Sequence, residues 1–129
     1  ADHLIMSART ASELTGQTDP ARAVEKLAES KRACTAVTDG ARGCWFVDEC
    51  GAIQHQPAFK VAVVDTTGCG DVFHGAYAAA LIAGRDVPHA IRFAAAAAAL
   101  KAARPAGQAG IPGRSSVMSL LTNDAGECE

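Results

Sequence analysis

Asp71 follows two glycines spaced by a single residue, in the stretch Val63-Val64-Asp65-Thr66-Thr67-Gly68-Cys69-Gly70-Asp71-Val72-Phe73-His74-Gly75-Ala76. A β-branched run, a glycine-bearing turn and a helical pattern succeed one another there. The first amides of a helix lack intrahelical partners and meet the positive end of the macrodipole. The amides of Gly68, Cys69 and Gly70 are therefore a ready anion site, suited to phosphate. With no Cβ at the two glycines, an oxygen can come close to them. A carboxylate in the first turn, Asp71, stands where it could take the proton of a hydroxyl attacking phosphorus, which is general-base work in phosphoryl transfer. The same position also suits an acidic residue that does no more than complement the helix dipole. Cys69 serves through its backbone amide, and His74 reads as a packing or hydrogen-bonding residue.

The elements that must position this turn are read from punctuation and periodicity. Leu4–Met6 is a short buried strand, and Thr10–Thr15 a helical turn closed by Gly16. Asp19-Pro20 supplies an N-cap and first-turn proline for a helix that ends near Ser30. Cys34–Thr38 is a strand running into the turn Thr38-Asp39-Gly40, and Cys44–Val47 and Ala52–His55 form a hairpin around Gly51. Val61–Val64 reads as a further strand, stopping at Asp65. Helices follow at Gly70–Ala83, Pro88–Ala103 and, shorter, Ser115–Leu121. The second carries six alanines in a row, Ala94–Ala99, as close packing requires. Alternating strands and helices predict an α/β fold with a largely parallel sheet.

Composition narrows the function classes. The chain has 129 residues, with 12 Lys+Arg against 14 Asp+Glu and a net charge of −2. That is one domain or part of one, with no basic field for nucleic acid or an anionic membrane. Of its residues 29 are alanine and only 5% aromatic, so large core-forming side chains are scarce. No apolar run is long enough to span a bilayer. Five cysteines (34, 44, 50, 69 and 128) contain no Cys-x-x-Cys pair, and four histidines are scattered. This fits reduced thiols in the cytoplasm better than a disulfide framework or a zinc site.

The twelve residues Asp65–Ala76 closely resemble the second signature of the ribokinase-like (PfkB) carbohydrate kinases, with Cys69 where alanine is usual. The resemblance implies a catalytic base at Asp71 and an anion hole at Gly68, Cys69 and Gly70. Thr38-Asp39-Gly40-Ala41-Arg42-Gly43 resembles the family's nucleotide loop, which implies ATP contacts at Thr38, Asp39, Gly40 and Gly43. Arg104-Pro105-Ala106-Gly107 to Ile111-Pro112 resembles the segment that in many members helps hold a monovalent cation such as K⁺, here with Asp65 and Thr67, although its glycine is displaced to Ala106-Gly107. Ser7-Ala8-Arg9-Thr10 stands where the family commonly has Asn-x-x-Glu, so Mg²⁺ would be held by the nucleotide phosphates and no direct metal ligand is assigned.

The implied fold is the three-layer αβα ribokinase-like one, of which residues 1–129 would form the C-terminal nucleotide-binding and catalytic-base part. The chain opens Ala1-Asp2-His3 rather than with a methionine or a signal-like segment, and the resemblance implies that the sugar-binding half and lid are not among these residues. Exposed apolar surface is expected on such a piece. The implied function is ATP-dependent phosphorylation of a small sugar by a cytoplasmic enzyme, with a homodimer of the full-length protein admitted and no nucleic-acid or membrane partner. Within the family, Gln54–Gly68, Phe73–Gly75 and Ala99–Pro105 look most like sulfofructose kinases, which phosphorylate 6-deoxy-6-sulfofructose. Other ketose or 2-keto-3-deoxygluconate kinases, and a non-catalytic nucleotide-binding module, are the alternatives.

Overall fold

The computed structural model describes residues 1–28, 31–105 and 107–127, divided into two compact units, Ala1–Ala58 and Phe59–Glu129. The first unit contains β1 (His3–Ser7), α1 (Ala8–Thr15), α2 (Pro20–Leu27), β2 (Cys34–Thr38), β3 (Cys44–Asp48) and β4 (Ile53–Gln56). Its four strands form one sheet in the order β1-β2-β3-β4. Ser7 Oγ caps α1 by accepting from the Thr10 amide at 3.2 Å, and the Gly16 amide closes it on Ser12 O at 2.8 Å. Asp19 Oδ1 caps α2 through the Ala21 amide. The helix stops at Leu27, and Ser30 lies outside the described residues. Ala11, Ala23, Val24 and Val37 make the core, flanked by Met6, Leu27, Trp45 and Val47.

The sheet is mixed where a largely parallel one was expected. Only β1 and β2 run parallel, joined by the α1–α2 crossover, while β2/β3 and β3/β4 are antiparallel. A single 3₁₀ turn, Gly40–Arg42, reverses the chain between β2 and β3 where a parallel connection would need a longer crossover.

The second unit is helical: α3 (Cys69–Ile82), α4 (Val87–Ala102) and α5 (Arg114–Glu127). Phe73, Tyr77 and Ala80 recur on the buried face of α3, and α4 buries Ala90, Ile91, Ala94 and Ala97. The alanine run lets α3 and α4 pack against each other closely. α5 continues well past Leu121, and Arg92 Nη2 on α4 donates to Asp124 Oδ2 at 2.7 Å. That ion pair ties the added turn to α4.

Val61–Val64 forms no strand. The Val64 and Asp65 amides donate instead to the Ala102 carbonyl at the end of α4, at 2.7 and 3.1 Å. Val63 and Val64 are each 62% exposed, and no strand pairs with them among the described residues. A β-branched run needs neighbours to be a strand. Leu14, Ile53, Ile82 and Ile111 are exposed as well.

Candidate active site

The chain enters α3 through a turn whose polar groups can be followed one by one. Gly68 is the N-cap in the left-handed region (φ 79°, ψ 1°), which a side chain would resist. Thr67 N donates to Asp65 Oδ1 at 2.8 Å, and hydrogen bonding from Thr67, helped by the Lys101 charge, holds the Asp65 carboxyl below its ordinary range. Cys69 N donates to Thr66 O at 3.2 Å, the long end of the range. Lys101 Nζ, from α4, donates to Thr67 O at 3.1 Å. The amides of Gly68 and Gly70 have no acceptor among the described residues. Gly70 is exposed, and a Cβ built on it meets no atom within 4 Å beyond its chain neighbours and its own helix backbone.

Asp71 is the third residue of α3 and is exposed. It lines a cavity of about 400 Å³ together with Val72, Phe93 and Ala97 and two cations, Arg85 and Arg114. A carboxylate, unspent amides and two guanidinium groups thus share one unit.

His74 Nδ1 lies 2.7 Å from Gly70 O. A carbonyl only accepts, so Nδ1 carries the proton, and the ring secures the first turn of its own helix. Burial pushes the Cys69 thiol up against the opposing pull of Lys101, so the side chain is not an activated thiolate.

Thr38, Asp39, Gly40 and Gly43 lie together in the other unit. Asp39 N donates to Gly43 O at 2.8 Å and Gly43 N to Gly40 O at 3.1 Å, which closes the loop. Gly43 is buried with φ 95°, and a Cβ there would run into the Gln56 carbonyl and come within 2.9 Å of His55 Nε2. That ring nitrogen donates to Arg42 O at 2.8 Å, and its ring stacks on Trp45 with centroids 4.3 Å apart. Arg42 lies over the other ring, Trp45, at 5.8 Å, and pairs with Asp39 at 3.3 Å.

The sequence alone assigns no role to Lys101, Trp45, His55, Arg85 or Arg114. Each reaches its place through tertiary packing, so only a lysine in an alanine helix could have signalled anything. Ser7 and Thr10, at the position of the missing Asn-x-x-Glu, bond to each other as the cap of α1. Among the described residues no three His, Cys, Asp or Glu side chains cluster as metal ligands, and no helix is long and apolar enough to cross a membrane. Of the cation segment, Ala106 lies outside the described residues, as does Cys128.

Residues 1–114 match the profile of the pfkB family carbohydrate kinases. A ribokinase of Lactococcus lactis is 36% identical over 102 residues, which cover 79% of this chain and 34% of that protein. The ribokinase of Thermotoga maritima superposes with a TM-score of 0.81 at 35% identity, over 95% of this chain and 42% of its own. Arabidopsis thaliana ribokinase, solved with ribose and ATP, does so with a TM-score of 0.82 at 33% identity, over 93% and 40%. The fold is thus the ribokinase-like α/β fold with a mixed sheet, and the chain spans part of it: about a third to two fifths of the length of these relatives.

Proposed function

The chain belongs to the pfkB family of carbohydrate kinases, and from that premise we propose that the full-length protein transfers the γ-phosphoryl group of ATP to a hydroxyl of a small sugar. The observation that carries the reading is Asp71 in the first turn of α3, directly after the unspent amides of Gly68 and Gly70. Asp71 takes the proton of the sugar hydroxyl as that oxygen bonds to the γ-phosphorus. The bond to the β–γ bridging oxygen breaks, and ADP leaves with the electron pair. The amides of Gly68, Cys69 and Gly70 stabilise the charge on the transferring group, the Cys69 amide giving up its long bond to Thr66. Thr38, Asp39, Gly40 and Gly43 hold the nucleotide. No side chain here is assigned as a direct Mg²⁺ ligand; the ion would be held by the ATP phosphates and would supply charge neutralisation there. A pure binding module gains nothing from a carboxylate set against phosphate, which favours catalysis over nucleotide binding alone. ATP-coupled release of ADP in the presence of sugar, lost in Asp71→Asn, tests the reading.

The acceptor is the finer part of the proposal. The resemblance of Gln54–Val61 and Phe73–Gly75 to sulfofructose kinases favours 6-deoxy-6-sulfofructose, whereas the relatives named ribokinase favour ribose. A sulfonate is a monoanion where a phosphate is largely a dianion, so a sulfosugar site leaves the extra charge of fructose 6-phosphate poorly compensated. Values of kcat/KM for sulfofructose, fructose 6-phosphate, 2-keto-3-deoxygluconate and ribose decide it. A clear preference for any of the last three removes the sulfosugar assignment and leaves the kinase intact.

A further inference from the structure

Lys101, the penultimate residue of α4, is 3% exposed. A lysine is almost never so deeply buried unless its charge has partners. Its ammonium donates to Thr67 O at 3.1 Å, and its charge is felt by Asp65 and Cys69 on the same turn. A Cβ at Gly110 would come within 2.7 Å of Pro105 O and 3.4 Å of Lys101 Nζ. Gly110 is therefore bare where that carbonyl and the ammonium fill the space.

Thr67 O and the Gly68 amide belong to one peptide unit, planar and trans, so the N–H points opposite to the C=O. A cation that fixes the carbonyl also fixes and polarises the amide on the far side. The position is the one assigned from sequence to a monovalent cation at Asp65 and Thr67. The residues present do not fit that assignment, because the Thr67 carbonyl already faces a protein ammonium. We propose that Lys101 is a built-in monovalent cation, a positioning residue that aims the Gly68 amide into the anion hole and makes K⁺ unnecessary. The proposal rests on the phosphotransfer reading of the turn.

The test uses the full-length protein in about 0.1 M chloride with either K⁺ or tetramethylammonium as the only bulk cation, so that screening is matched. The expected wild-type kcat is the same within about twofold in both, whereas a misplaced anion-hole donor costs on the order of 10- to 100-fold. Stimulation of the wild type by K⁺ on that larger scale overturns the proposal. Lys101→Ala leaves a hole of about the right size for a free cation. It should lose turnover on that scale and recover a substantial part of it with K⁺ or methylammonium, a rescue that repair of packing alone would not give.

Melting provides a readout independent of turnover. Lys101→Ala should melt higher in K⁺ than in tetramethylammonium, and the wild type equally in both. A K⁺-dependent rise in the wild type overturns the proposal. Should the alanine variant not fold, Lys101→Met keeps the bulk without the charge, and its retention of wild-type kcat has the same consequence. If the wild type phosphorylates no sugar, the kinase reading fails, while the melting comparison still decides whether Lys101 stands in for a cation.

Discussion

The Thr67 amide is committed to Asp65 Oδ1 at 2.8 Å, while the carbonyl of the same residue is committed to Lys101. Both backbone polar groups of Thr67 are thereby engaged within the protein, and the amides without acceptors begin one residue later. The chain reaches Gly68 with its direction already set.

The Asp65 carboxyl is held below its ordinary value of 3.8 by these bonds from Thr67. Its stabilising contribution is thus present above that value and is lost as pH falls through the lower folded-state value. Urea midpoints of the wild type and Asp65→Ala should differ near neutral pH and converge under acid conditions.

Asp71→Asn in the full-length protein should lower kcat by about 10²–10⁴-fold, the range for loss of a general base. ATP affinity should change little, because the substitution removes a negative charge beside phosphate. Steady-state kinetics with nucleotide titration separate the two effects. A near-wild-type kcat would remove Asp71 from the mechanism.

Gly70→Val should abolish most turnover and leave the melting temperature nearly unchanged. Beyond its chain neighbours and its own helix backbone, no atom lies within 4 Å of the added Cβ, so the branched side chain should act mainly by obstructing an incoming phosphoryl oxygen. Cys69→Ala should be almost silent in the same assay, since its thiol is not activated.

Gly43→Ala should cost upward of about 2 kcal/mol, because a left-handed backbone is combined with a clash against the Gln56 carbonyl. Gly40→Ala has φ 51° but open space, and should cost about 1 kcal/mol. Denaturant unfolding ranks the two, and equal costs would show that the clasp around Gly43 is loose.

Burial, with Cys34 beside it, pushes the Cys44 thiol up to about 12 from 9.0. A raised value in the folded state gives a contribution that is complete below about 9 and is lost as pH rises toward 12. Cys44→Ala should therefore flatten the alkaline fall in stability. Mapped alkylation at mild alkaline pH should modify the exposed Cys50 long before Cys44.

What was legible in the sequence was local. The Gly68–Asp71 turn, the caps at Asp19 and Gly16 and the Gly51 hairpin each follow from residues within a few positions of one another. Val61–Val64 has a strand-like pattern, but strand formation depends on a neighbour, and the Val64 and Asp65 amides bond to the end of α4 instead. The extension of α5 brings Asp124 against Arg92, 32 residues earlier, a contact that no local pattern signals. Lys101 and Gly110 acquire meaning only once α4 is folded beside the turn. Alternation of strands and helices described the β1-to-β2 crossover correctly but was carried too far, past the 3₁₀ turn that reverses the chain.

The last turn of α4 holds the segment before α3 at both ends, through Ala102 O to Val64 and Asp65 and through Lys101 to Thr67. Fraying of that helix end would release all of these contacts together. Hydrogen exchange at Val64 and Asp65 should therefore report on opening of the helix terminus, and the Gly68–Asp71 turn should open with it as one cooperative unit.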